Sequence, residues 1–169
     1  MNTAMPEQQF LEAYDTYADA LFRHCYFRVF ERERAKDLVQ EVFMRTWEYI
    51  VKGNSVKNIR ALLYRIANNI IIDEWRKKKA VSLEALQEQG FQPQASSRPM
   101  EVVMEGKEAV LILQKVEPLY REVLVMRYID DMSPKEIAEV LGVTADVVSV
   151  RIHRGLEKVR HCIAMSHTI

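Results

Sequence analysis

The chain has 169 residues, enough for one domain of usual size or two small ones, and a hydrophobic fraction of 49% excludes a wholly disordered polypeptide. Its 24 basic and 24 acidic side chains cancel. It therefore lacks the basic surplus from which a free-standing nucleic-acid binder draws its sequence-independent affinity, so a DNA-reading element in such a chain belongs in a larger assembly.

The first ten residues, MNTAMPEQQF, have no basic start leading into an apolar run, so no secretory signal is expected. Apolar stretches such as Ile70–Ile72 are far too short to span a bilayer. The expectation is a cytoplasmic protein without membrane insertion. Cys25 and Cys162 lie far apart with no C-x-x-C or Cys/His spacing around them, and read as buried or idle thiols in a reducing compartment.

From Gln9 to about Phe30, the residues Phe10, Tyr14, Tyr17, Leu21, Cys25 and Val29 recur at helical spacing without Gly or Pro. They predict a long amphipathic helix or a helix pair, and Phe22, Tyr26 and Phe27 widen the apolar surface toward packing on two sides. Arg34–Val51 carries the cleanest pattern in the chain, with Ala35, Leu38, Val39, Val42, Phe43, Thr46, Trp47 and Ile50 on one face. Lys36, Asp37, Gln40, Glu41, Arg45 and Glu48 share the reverse side, ordinarily a solvated face and, in the sharper reading, a partner site.

Lys52–Lys57, KGNSVK, is a turn-forming stretch. Helical spacing resumes over Ile59–Lys79 through Ile59, Leu62, Leu63, Ile66, Ala67 and Ile70, accompanied by Arg60, Tyr64, Arg65, Asn68, Asn69, Trp75 and Arg76–Lys79. Cations interleaved with aromatic and amide side chains suit single-stranded nucleic acid, where phosphates need charge and unstacked bases need flat surfaces. The plainer reading is a basic helix end favoured by the helix dipole, with Tyr64 and Trp75 in the core.

Ala80–Pro99 loses the periodicity to Gln, Ser and Pro and reads as a linker with a brief helical turn at Leu83–Glu88. Helices follow over Glu101–Val116 and, restarted by Pro118, over Leu119–Ile129. Ser133, Pro134 and Glu136 then form a capping-box start for a helix running to Leu141, which Gly142 closes in a left-handed conformation. Thr144 caps the next helix, so about three residues join the pair, the geometry of a helix-turn-helix. Val148, Ile152, Leu156 and Val159 mark its buried side, and Ser149, Val150, Arg151, His153, Arg154 and Lys158 the other. Arg and Lys can neutralise phosphates, while Arg and Ser can read base edges. The bland alternative is a helical hairpin with a solvated basic face. No strand-type alternation of useful length occurs, so the fold class is all-α.

No nucleophile and base, phosphate loop or metal-ligand cluster is evident, and His24, His153, His161 and His167 are scattered. No catalytic residue, metal or cofactor is expected.

DLVQEVFMRTW (Asp37–Trp47), LYRIANNIIIDEWRKK (Leu63–Lys78) and the stretch Arg121–Arg160 occur in the order and approximate spacing of regions two and four of a bacterial sigma factor. The chain resembles the extracytoplasmic-function group of the sigma-70 family. That resemblance implies two small helical domains, region two over 1–79 and region four over 101–169, joined by a flexible linker over 80–100. It places Asp37, Leu38, Gln40, Glu41 and Trp47 on the surface docking to the beta-prime clamp helices of core RNA polymerase, the apolar ones partly as support. It makes Asn54, Asn58, Arg60, Tyr64, Arg65 and Asn69 candidates for capturing minus-ten bases, with Arg76, Lys77 and Lys78 on the backbone. Ser149, Arg151, His153, Arg154 and Lys158 become the minus-thirty-five readers, Val150 being a poor hydrogen-bonding partner. The implied partners are core polymerase, through clamp helices and beta flap, and promoter DNA; an anti-sigma factor is common in the group. Two other classes compete: a free-standing helix-turn-helix regulator, which would bind a palindromic duplex alone, and a helical adaptor with no nucleic-acid contact.

Overall fold

The computed structural model describes residues 6–88 and 104–166, and among these all regular structure is helical: α1 (Pro6–Val29), α2 (Arg32–Val51), α3 (Ile59–Glu88), α4 (Met104–Lys115), α5 (Pro118–Tyr128), α6 (Pro134–Leu141) and α7 (Ala145–Ser166). The first stretch is one continuous helix rather than a pair. Phe30, in the left-handed region at φ 58°, reverses the chain into α2. Leu38, Val42 and Phe43 bury the apolar side of α2, as their spacing requires, against α1 and α3.

The expected linker begins as helix. α3 continues past Lys79 to Glu88, because AVSLEALQE offers helix formers and neither Gly nor Pro to stop them. Residues 89–103 lie outside the described part, and with them the rest of the linker and the first residues expected in α4. In the second half the capping box forms as read: Glu136 N donates to Ser133 Oγ at 3.2 Å, and Ser133 N to Glu136 Oε2 at 2.7 Å. Gly142 closes α6 at φ 68°. α7 runs on to Ser166, and it approaches α5 closely at Gly155, where a Cβ would stand 3.1 Å from Cγ and Cδ1 of Leu124.

The two helical units, α1–α3 and α4–α7, do not stand apart. α1 packs on α5 and α3 on α6. A single buried cluster takes Leu21, Cys25, Leu38, Leu63 and Ile71 from the first unit and Val123, Met126, Met132, Ile137 and Val148 from the second. Burying side chains of this size contributes about 1.5–3 kcal/mol each. Charged groups lie in the same seam. His24 Nδ1 and Asp130 Oδ2 are 2.7 Å apart, both buried, and the Tyr64 hydroxyl reaches Asp130 Oδ1 at 3.5 Å. Arg28 donates to Asn68 Oδ1 at 2.9 Å and faces Glu122 at 3.5 Å; the other oxygen of Glu122 faces Arg151 at 3.7 Å.

Arg121 joins three parts of the fold. Its guanidinium donates to the carbonyls of Leu113, Gln114 and Val116 at the end of α4 and lies over the rings of Phe30 and Trp75, at 4.9 and 5.6 Å from their centroids. Burial, together with the charge of Arg28, lowers its pKa to about 10. It therefore remains a cation at neutral pH.

Two measurements follow from this packing. Burial raises the pKa of Glu122, and both its arginines are too distant to offset that fully. A carboxyl whose folded pKa is raised binds its proton more tightly in the native state, so its contribution is full below the ordinary glutamate range, about 4.3, and declines as pH rises above it. Urea midpoints of wild type and Glu122→Gln should converge in acid and diverge toward neutrality, with the wild type relatively weaker there; parallel curves would refute the shift. Gly155→Val should overpack the α5–α7 contact and cost about 1–3 kcal/mol, read from the same midpoints at constant slope.

Candidate nucleic-acid and partner interfaces

Because the apolar side of α2 is consumed by the core, its other side is presented outward. Asp37 and Gln40 are exposed, and Glu41 is held by Arg45 at 2.6 Å. Leu38 is fully buried and can act only by supporting this surface. Trp47 is half-buried, its ring 5.2 Å from that of Phe10, at one wall of a groove of about 640 Å³ between α1 and α2. Leu11, Tyr14 and Met44 also line this groove, with Leu11 61% and Met44 64% exposed. Sequence reading missed Leu11 and Met44, and took Tyr14 only as part of the apolar stripe of α1. The available signal was Met44, an apolar side chain one turn beyond Gln40 on a polar face.

The candidates on α3 and the turn before it fall into three groups. Asn54 and Asn58 serve helix ends: Asn54 Nδ2 donates to the Tyr49 carbonyl at 3.0 Å, and Asn58 Oδ1 accepts from Ala61 N at 3.1 Å. Arg60, Tyr64 and Arg65 are engaged with the second unit. Arg60 donates to the Asp130 carbonyl at 2.6 Å and to Glu136 at 3.3 Å, while Arg65 donates to the Glu139 carbonyl at 3.1 Å. Tyr64 is only 1% exposed, so in this arrangement the plainer reading holds for it; Trp75 instead stands half-open beside Arg121. Asn69, Arg76, Lys77 and Lys78 are exposed.

On α7, Ser149, Val150, His153 and Arg154 point away from the core. Arg151 is turned back toward Glu122, and Lys158 donates to Glu117 at 2.6 Å while lying over the Tyr120 ring. His153 faces Glu157, one turn on, at 3.4 Å. Ser149, His153 and Arg154 are thus exposed, whereas Arg151 is drawn toward the buried Glu122 and Lys158 is tied to Glu117 at the surface. No local spacing in the sequence couples either glutamate to α7. Val147 and Val150, 39% and 48% exposed, add apolar surface suited to a thymine methyl.

Burial pushes the Cys25 thiol up to about 12, leaving it protonated and unreactive. Among the described residues no group of His, Cys, Asp or Glu is placed to hold a metal, and no helix is long and apolar enough to cross a membrane.

Comparison with known proteins accounts for both halves. Residues 13–81 match the family model of sigma-70 region 2, and residues 107–159 that of sigma-70 region 4. The chain is 32% identical over 165 residues to the ECF RNA polymerase sigma factor SigW of Bacillus subtilis, covering 91% of this chain and 88% of that one. It is 30% identical over 151 residues to the ECF RNA polymerase sigma factor SigL of Mycobacterium tuberculosis, covering 87% and 84%. In fold it is similar to the sigma factor RpoE in complex with the anti-sigma factor NepR from Bartonella quintana, with a TM-score of 0.74 and 17% identity over 92% of this chain and 97% of that one. CnrH in complex with the cytosolic domain of CnrY gives a TM-score of 0.70 at 24% identity, covering 94% and 90%.

Proposed function

The chain belongs to the extracytoplasmic-function group of sigma-70 sigma factors, and from that premise we propose how its surfaces divide the work of starting transcription. As an alternative sigma factor it joins core RNA polymerase and directs it to particular promoters. The outward face of α2, with Asp37, Gln40, Glu41 and Trp47 over Leu38, docks on the beta-prime clamp helices. The α2–α3 turn and α3 take the minus-ten element, with Asn54, Asn58, Arg60, Tyr64, Arg65 and Asn69 toward the bases and Arg76, Lys77 and Lys78 toward phosphates. The outward face of α7 enters the major groove at the minus-thirty-five element through Ser149, His153 and Arg154, while Arg151 and Lys158 contribute charge.

The observation that supports this reading is the pairing, in one chain, of a helix in the region 2 unit whose polar, mixed-charge face is turned to solvent with a helix-turn-helix whose outward face is exposed. It also accounts for the zero net charge. A subunit delivered to DNA by polymerase does not need to supply the phosphate-neutralising affinity by itself. Melting needs no covalent chemistry from the chain, since stacking an extruded base on protein returns about 1–3 kcal/mol against the cost of opening the duplex. The site of action is the cytoplasm, and an anti-sigma factor, the kind of partner that RpoE has in its complex with NepR, is the expected antagonist.

Mixing the purified protein with core polymerase and a library of promoter fragments, then sequencing the transcripts, should yield one two-part motif; transcription without sequence preference would reject the assignment. Asp37→Ala with Glu41→Ala should weaken holoenzyme assembly while leaving helicity intact, and unaltered assembly would remove α2 from the interface. Arg154→Ala should cost about 1–3 kcal/mol on promoter duplex if Arg154 makes a bidentate base contact. An equal loss on random duplex would reduce it to a phosphate contact.

A further inference from the structure

Further along α3, Ile72, Trp75, Arg76 and Lys79 recur at three- and four-residue spacing and so share one side of the helix. Pro118 and Leu119, in the first turn of α5, stand across from them, and a cavity of about 270 Å³ lies between the two helices. Its walls differ in burial. Ile71 is fully buried and the side chains of Arg28 and Glu122 are nearly so, which makes them the closed end. Trp75 and Leu119 are 37% and 46% exposed, and Arg76 and Lys79 are exposed as well, which makes these the mouth.

Charge is distributed unevenly along the cavity. At the closed end it is balanced, since Arg28 and Glu122 face each other at 3.5 Å. At the mouth it is not. Among the described residues neither Arg76 nor Lys79 meets a carboxylate, and Glu74, two positions before Arg76, is already occupied by Arg34 at 2.5 Å. The cavity therefore joins an apolar interior, formed by Ile71, Ile72, Trp75, Pro118 and Leu119, to two uncompensated cations one turn apart at its opening.

We propose that this cavity is a binding site for a small amphiphilic carboxylate of the medium-chain fatty-acid class, its hydrocarbon chain lying between α3 and α5 and its head group on Arg76 and Lys79. The size suits one such chain. At slightly under the roughly 300–1,000 Å³ of drug-sized sites, the cavity does not admit a two-chain lipid or a folded peptide segment. Apolar walls favour the chain by removing it from water, and the unpaired cations at the mouth select a negative head group over a neutral one. Arg121, over the Trp75 ring at 5.6 Å, holds one wall in place. Arg76 is also among the cations assigned to promoter phosphates, so an occupied cavity takes that contact from DNA; this consequence rests on the assignment, whereas the binding site does not.

The test titrates sodium octanoate into the full-length protein, with 1-octanol and sodium acetate as separate arms, followed by calorimetry and by the fluorescence of Trp75 in a Trp47→Phe background. Octanoate should saturate one site and change the Trp75 emission, and 1-octanol and acetate should each bind at least about tenfold more weakly. Absence of octanoate binding, or equal binding of 1-octanol, overturns the proposal. Two variants locate the site. Ile72→Glu puts a carboxylate into the cavity beside Arg76 and should abolish binding, and Arg76→Gln with Lys79→Gln should weaken it at least about tenfold while the apolar walls stay intact. Helicity of each is checked by circular dichroism. If Ile72→Glu does not fold, the exposed double variant decides: weaker octanoate binding supports the site and unchanged binding overturns it. Affinity unchanged in both folded variants places the octanoate elsewhere on the protein, as in the groove between α1 and α2, and likewise overturns it.

Discussion

Asp130 carries a charge into the place where the two helical units meet, and the side chains that satisfy it, His24 and Tyr64, come from across that boundary. A carboxylate removed from water costs several kcal/mol unless geometry and hydrogen bonds repay it, so the units can close only in the register that brings these partners together. Apolar neighbours such as Val123, Met126 and Ile71 supply the drive to close, while the polar groups fix how. A seam built this way differs from an ordinary core. On separation its apolar residues lose their burial, but its charged groups regain hydration, so opening costs less than it would across an equal area of pure hydrocarbon.

That distinction separates the surfaces of the molecule by availability. The outer side of α2 faces solvent in the closed form, as does the outward side of α7, so neither must be uncovered before it can meet a partner. α3 is different: its first turns are shared between the units and its later turns, with Arg76, Lys77 and Lys78, are open. Arg121 extends the same connection to the far end of the seam, where one guanidinium caps α4 and lies over aromatic rings of the first unit.

The sequence revealed what depends on neighbours three or four residues apart. The capping box at Ser133, the left-handed Gly142, the buried side of α2 and the exposure of Ser149, His153 and Arg154 all follow from local spacing, and all are present. The continuation of α3 through the first part of the expected linker was also legible in its helix-forming residues, but the weight of Gln, Ser and Pro further along obscured it. What spacing could not give was the pairing of distant residues. Nothing near Asp130 announces His24, more than a hundred positions earlier, and nothing near Arg151 announces Glu122. Tyr64 illustrates the cost: its place among cations and amides suits a base-stacking platform, yet it is buried, with His24 edge-on to its ring and Asp130 beside its hydroxyl.

The close approach of α7 to α5 at Gly155 has a bearing on how such a protein changes over time. With no side chain at Gly155 to hold the helices apart, Leu124 packs directly against the backbone of α7, and the rotational setting of that helix is fixed from its inner side. Ser149, His153 and Arg154 lie on the outer side and take no part in that packing. Exchanges at such exposed positions commonly alter stability by less than about 0.5 kcal/mol. On the proposed assignment of these residues to promoter reading, duplicated copies of the gene can diverge toward new sets of target genes through a few outward-facing substitutions, with the scaffold that aims them inherited unchanged.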